Sequence, residues 1–174
     1  MKRPSLLEEL AGGDRRSIGR VPSVVRRARR NPALASELVR GLRHDDPLVR
    51  MRAADALEKA SRDRPAILAP FKAVLLTVAA ESAEQEVRWH AAQMLPRLPL
   101  TRKDTERAVS ILRGYLADRS SIVNVCALQA LADLASRDRS LVPMAVVAME
   151  AACRTGTPAM QARGKKLLSI FKNG

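Results

Sequence analysis

The chain has 174 residues, 47% of them hydrophobic, yet its aromatic set is two Phe, one Tyr and one Trp. An interior of Ala, Leu, Val, Ile and Met with so few aromatics excludes a β-sandwich or barrel, and that aliphatic content excludes a disordered chain. Lys and Arg number 31 against 18 Asp and Glu, a net charge of +13, and the length suits one domain of about 100–200 residues.

In chain order, the spacing of apolar residues and caps predicts helices over 5–11, 14–30, 32–43, 46–61, 64–80, 84–95, 102–117, 120–136, 140–153 and 157–172. Ser5 and Glu8 form a capping box for the first, which stops at Gly12-Gly13. Residues 1–30 carry nine basic and three acidic groups, a net +6. Within them Asp14-Arg15-Arg16-Ser17-Ile18-Gly19-Arg20 is the best candidate for an anion site. It would gather Arg15, Arg16, Ser17 and Arg20 at a helix N-terminus, with Arg27 and Arg30 extending the charge along the helix.

Further along, Asp46-Pro47 and Thr157-Pro158 each offer a cap followed by Pro at the first helical position. Thr101 with Asp104 starts the helix that follows Pro96 and Pro99. Pro22 and Pro70 fall inside helical patterns and predict a kink or break at each. Residues 154–174 carry five basic groups and no acid, so eleven of the thirteen net charges sit at the two ends. Such asymmetry points to an anionic partner.

A repeat organises these helices. Ala60-Ser61-Arg62-Asp63-Arg64 returns 75 residues later as Ala135-Ser136-Arg137-Asp138-Arg139. Val49, Val87, Val123 and Met160 recur at spacings of 38, 36 and 37; four residues on stand Ala53, Ala91, Ala127 and Gly164, and eight on Leu57, Leu95, Leu131 and Leu168. Positions i, i+4 and i+8 form one helix face, the predicted core stripe. Seven residues before each stand Leu42, Ala80, Leu116 and Cys153.

A two-helix unit of about 37 residues with Asp46-Pro47-Leu48-Val49-Arg50-Met51-Arg52-Ala53-Ala54-Asp55-Ala56-Leu57 resembles a HEAT repeat's second helix, and Glu86-Val87-Arg88 with Ala91-Ala92 and Met94-Leu95 repeats it. In the third and fourth copies Asn124 and Gln161 replace the arginine. The resemblance implies an all-α fold, a right-handed α-solenoid of about five antiparallel helix pairs. It would be a single domain over 1–174, with basic N-terminal helices in 1–30 and well-marked repeats in 31–172. It also implies that the second helices line a shared surface used for binding.

Stepping about 100° per residue from Val49 puts Met51, Asp55, Glu58 and Arg62 opposite the core stripe. The exposed columns then read Met51, Trp89, Val125, Ala162 and Asp55, Gln93, Gln129, Lys166, with an edge of Arg52, His90, Cys126 and Arg163. Trp89, the sole tryptophan, is the natural anchor of such a face. Met51, Asp55, Arg88, Trp89, His90, Gln93, Val125 and Gln129 are therefore the candidate partner-binding residues. Packing between repeats is the competing role for Trp89.

Catalytic signatures are missing from the pattern. His90 has no nucleophile at a useful spacing, only Glu86 four residues before it on the same helix face. His44 and His90 are 46 apart, Cys126 and Cys153 lie 27 apart outside any CxxC pattern, and no Gly-rich phosphate loop occurs. The expectation is a non-enzymatic scaffold without cofactor or metal that binds an acidic protein segment or other anionic partner through its second-helix face and basic ends. Nucleic-acid binding, by a fold resembling HEAT-like DNA glycosylases in architecture, is the alternative. The Ile67–Ala80 apolar run contains Pro70 and Lys72 and is too short for a membrane span, and Glu8 and Glu9 interrupt any leader pattern, so the expected location is the cytoplasm.

Overall fold

The computed structural model describes residues 4–14 and 16–172. Among them the ordered elements are helices, with no strand, and no helix is long and apolar enough to cross a membrane. The chain divides into two compact units, one ending at Leu100 and one beginning at Thr101.

The first unit holds α1 (Leu6–Leu10), α2 (Val21–Arg30), α3 (Ala35–Gly41), α4 (Pro47–Ser61), α5 (Lys72–Glu81) and α6 (Gln85–Met94). The Ser5–Glu8 capping box forms as expected, and the Glu37 carboxylate of α3 accepts from the Leu6 and Leu7 amides at 2.6 and 3.3 Å. Two otherwise orphaned donors of a five-residue helix are thereby satisfied. Asp46 caps α4 by accepting from the Leu48 amide at 2.8 Å. Pro70 lies in a 3-10 segment, Pro65–Phe71, and regular α-helix resumes only at Lys72, the predicted break.

Pro22 behaves otherwise. The predicted helix 14–30 begins only at Val21, so Pro22 occupies the first turn, where a missing N–H costs nothing. Of residues 11–20, those described (11–14 and 16–20) form a loop instead of the expected helix and kink.

Consecutive helices pair as α1 with α2, α3 with α4, and α5 with α6, while α2, α4 and α6 pack side by side. In the second unit, α7 (Arg102–Tyr115) pairs with α8 (Ser121–Arg137) and α9 (Val142–Thr155) with α10 (Pro158–Lys172), with α8 against α10. Here Leu128, Ala132, Ala145, Met149, Met160 and Leu167 form the core. The predicted stripe is buried at Val49, Val87, Val123, Met160, Ala53, Ala91, Ala127, Leu57, Leu95 and Leu131; Leu168 is half-buried. Gly164 replaces Ala in its column because a Cβ there would lie 2.9 Å from Cys153 Sγ and Met149 O.

The residue after each stripe valine or methionine has a shared role. Arg50 donates to His44 O and Asp45 O, Arg88 to Ala83 O, Asn124 to Tyr115 O, Leu116 O and Asp118 O, and Gln161 to Gly156 O. Each side chain reaches back to tie down the carbonyls between its two helices. Arg50 also grips Glu84 through Nε and Nη2 at 2.9 and 2.5 Å. That hydrogen bond, more than the charge, raises the Arg50 pKa.

Candidate functional site

The side-by-side placement of α4 and α6, with loop 11–20 beside them, creates the main cavity of interest. It has a volume of about 350 Å³ and is lined by Ser17 and Ile18 of the loop, Met51, Arg52, Asp55 and Lys59 of α4, and Glu86, Trp89 and His90 of α6. The face expected from the sequence thus brings together Met51, Asp55, Trp89 and His90, and Ser17 from the expected anion site joins them.

The loop wall is organised by one buried cation. Arg52 is 2% exposed, and its guanidinium donates to Leu10 O, Gly12 O, Asp14 O and twice to Ser17 O, at 2.6 to 3.2 Å. Gly12, Gly13 and Gly19 supply the positive φ angles that turn these carbonyls inward. The edge position expected for Arg52 is therefore corrected: it lies inside, because the loop wraps around it.

The same geometry redirects the expected anion site. The Arg16 and Ser17 amides donate to Asp14 Oδ1, and the Gly19 amide donates to Ser17 Oγ, so these donors are engaged within the loop. Arg27 forms an ion pair with Glu9 and donates to Pro4 O. Arg16, Arg20 and Arg30 are exposed, and Arg15 lies outside the described residues. Of the cluster only Arg20 stands at a helix N-terminus, as the N-cap residue of α2, with no side-chain cap bond.

Asp55 and Glu58, expected opposite the core stripe, are 8% and 0% exposed. Neighbouring helices cover that face of α4 and each carboxylate has its own cation. Lys59 Nζ lies 2.8 Å from Asp55 Oδ1 and Oδ2. Arg62 donates to Glu58 through Nε and Nη2, while Arg97 donates to Glu58 Oε1 at 2.6 Å, to Glu58 O and to Ser61 Oγ. Burial opposes ionisation of Glu58, but the hydrogen bonds from Arg62 and Arg97 outweigh it and hold its pKa below the usual carboxylate range.

His90 is buried at the back of the cavity, not on the expected edge. Its Nε2 lies 3.8 Å from Asp55 Oδ1, its Nδ1 is buried without a hydrogen-bond partner, and its ring is tilted 60° to that of Trp89 at 5.5 Å. Burial lowers its pKa, against the pull of Asp55 and Glu58 and with the help of Lys59 and Arg62, so the imidazole is neutral at pH 7.

Trp89 and Met51 are half-buried at the cavity rim, opposite Ile18, which is 51% exposed. Gln93 is half-buried and donates to Trp89 O. In the second unit Val125 packs against the core, while Gln129 accepts from Arg163 at 2.8 Å and donates to Asp133. Ile18, Arg52, Lys59 and Glu86 were missed as cavity residues. The available signal was the loop's glycine spacing, Gly12-Gly13 and Gly19, which marks a backbone that bends around something.

No family model matches the chain, and no curated protein sequence does. Solved structures share its fold. An engineered protein aligns at TM-score 0.64 and 20% identity, over 97% of this chain and 78% of that one. The complex of CpcE and CpcF of phycocyanin lyase from Nostoc sp. PCC7120 aligns at TM-score 0.58 and 20% identity, over 86% of this chain and 98% of that one. The chain is an all-helical repeat protein. The expectation that it is not an enzyme is overturned: a chain of this fold belongs to a lyase, so a helical repeat without a recognisable nucleophile–base motif gives no ground for excluding catalysis.

Proposed function

We propose that residues 1–174 act as one HEAT-like repeat domain, a binding scaffold that recognises an acidic segment of a partner protein in the cavity between α4, α6 and loop 11–20. The observation that carries this is the cavity's apolar rim of Ile18, Met51 and Trp89 in a chain of net charge +13: Lys59 is paired with Asp55 and Glu86 also lines the cavity, so an apolar residue of the segment enters it while the acidic residues meet the basic surface outside. Apolar anchors inside a charged surround are the usual anatomy of a binding hot spot, and the surrounding field speeds encounter with an anionic partner. The CpcE–CpcF structure, a complex of two protein chains, supports a protein partner.

The test is binding of the full chain to a glutamate-rich peptide bearing one apolar residue, with duplex DNA as comparison, across a salt titration. Trp89→Ala is expected to leave helical circular dichroism unchanged and to weaken peptide binding roughly tenfold or more. DNA binding that is tighter than peptide binding, falls steeply with salt and ignores Trp89→Ala would overturn the proposal.

A further inference from the structure

Resting on that binding reading, we propose that the acidic residues of the partner segment dock on an arginine ledge beside the cavity. Arg26, Arg29 and Arg30 of α2 form it, with Arg64 just beyond the end of α4.

The pattern of α2 places the ledge. Val21, Val24, Val25 and Ala28 are buried and, at about 100° per residue, share one side of the helix. Arg26 and Arg30, four residues apart, stand on the opposite side and are exposed. Arg27 turns to one flank, where it pairs with Glu9 of α1. Arg29 turns to the other and reaches α4, its Nη2 donating to Lys59 O at 2.9 Å and lying 3.0 Å from Asp63. Arg64 Nη1 in turn donates to Arg29 O at 3.2 Å. Lys59 links ledge and cavity, since its side chain lines the cavity while its carbonyl holds Arg29. Acidic residues a few positions along the chain from the apolar anchor therefore come within reach of the ledge.

Charge selects the occupant. Arg26 and Arg30 have neither an ion pair nor a hydrogen bond among the described residues, and Arg64 has no ion pair. The Arg29–Asp63 pair is 43% and 69% exposed, a screened contact that a partner carboxylate can share or replace. Arg26 stands three and four residues before Arg29 and Arg30, a like-charge spacing that disfavours the helix until an anion meets it. The helix dipole accounts for cations in the last turn, Arg27, Arg29 and Arg30, but not for Arg26 before them. Guanidinium forks hold carboxylates through two parallel N–H···O bonds. Phosphates fit them too, but a duplex keeps its bases stacked inside and presents phosphates alone. A polypeptide supplies carboxylates and an apolar side chain together, as the ledge and the adjoining rim of Ile18, Met51 and Trp89 require.

The experiment measures binding of the full chain to the glutamate-rich peptide bearing one apolar residue, and to the same peptide with glutamine at every glutamate. Arg26→Ala with Arg30→Ala removes two exposed side chains and should leave helical circular dichroism unchanged. It is expected to weaken the glutamate peptide roughly tenfold and to leave the glutamine peptide as it was. Lys165→Ala with Lys166→Ala removes the same charge from the exposed face of α10 and should change little. On the unaltered chain, the Arg26 and Arg30 Nε–H resonances should shift with the glutamate peptide and not with the glutamine one. Full affinity in Arg26→Ala/Arg30→Ala overturns the ledge, and so do equal losses in the two double variants, which would assign binding to the overall field. In both cases a loss with Trp89→Ala leaves the acidic-segment reading standing. No binding of either peptide, or equal binding of both, overturns ledge and reading together. Duplex DNA that binds more tightly than the peptide, and loses that affinity in Arg26→Ala/Arg30→Ala, makes the ledge a phosphate site and overturns the carboxylate occupant.

Discussion

Arg52 of α4 and Gly19 of the preceding loop fit so closely that a Cβ on Gly19 would stand 2.9 Å from the guanidinium Cζ. Gly19 also has φ +53°, where an L side chain is strained, whereas Gly12 has φ +76° with nothing within 4 Å of its would-be Cβ. The pair of alanine variants separates two effects. Gly12→Ala carries only the left-handed penalty, about 1–2 kcal/mol. Gly19→Ala adds displacement of a buried cation held by its surroundings, and should cost about 1–2 kcal/mol more, read from urea midpoints. Equal losses would show that the contact is slack.

Removing the cation tests the loop directly. Arg52→Lys keeps the charge but not the planar fork, so one ammonium cannot reach the four carbonyl oxygens that Arg52 serves. Hydrogen exchange should rise at the amides of residues 11–20, with a loss of about 2–4 kcal/mol because buried carbonyls are orphaned. Unchanged exchange in that loop would mean that the glycine turns hold it unaided.

Much of the architecture was legible because helical periodicity is a local signal. Val49, Val87 and Val123 repeat at near-constant spacing, and burial follows. Asn124 and Gln161 look like decay of an arginine column, yet all four side chains bind turn carbonyls, a function that hydrogen-bonding capacity conserves better than residue type. The site was legible only in part. A helical wheel marks which face meets the core but not which neighbouring helix covers the opposite face; α4 lies between α2 and α6, and Asp55 and Glu58 were placed outside for that reason. Nor does local pattern reveal that a distant arginine organises residues 11–20, since the partner of those carbonyls lies more than thirty residues away in sequence.

Glu58 gives a pH prediction. Its folded pKa lies below the ordinary 4.5, so its contribution is complete above that value and is lost as pH falls through the depressed folded value. Glu58→Gln should cost about 3–5 kcal/mol at pH 7, because two arginines lose a buried counter-ion, and its stability should fall less steeply below pH 4.5 than that of the parent chain. Arg62 is 52% exposed on its side chain, so Arg62→Ala should cost only about 1 kcal/mol. Parallel pH curves for Glu58→Gln and the parent would remove Glu58 as the titrating group.

His90 acts in the opposite sense. Burial holds its folded pKa below 6.5, so between that value and the folded one the unfolded chain binds a proton that the folded chain refuses. Stability should therefore decline as pH drops from about 6.5, and His90→Gln should flatten that part of the curve. Urea midpoints measured from pH 7.5 to 5 check this, and an unchanged slope in the variant would assign the decline to other groups.

Asn124 is the sharpest test of the turn-binding column. It is 4% exposed, and its Nδ2 donates to Tyr115 O, Leu116 O and Asp118 O at 2.9, 3.2 and 2.9 Å. Alanine would leave those carbonyls without their donor and should cost about 1–3 kcal/mol. Aspartate, nearly identical in shape, would present an acceptor to three acceptors and should cost more than alanine does. Gln161 is half-buried and makes one such bond, so Gln161→Ala should cost less than about 1 kcal/mol. If Asn124→Asp were no worse than Asn124→Ala, shape rather than donor chemistry would be holding the α7–α8 turn, and the common role of Arg50, Arg88, Asn124 and Gln161 would have to be abandoned.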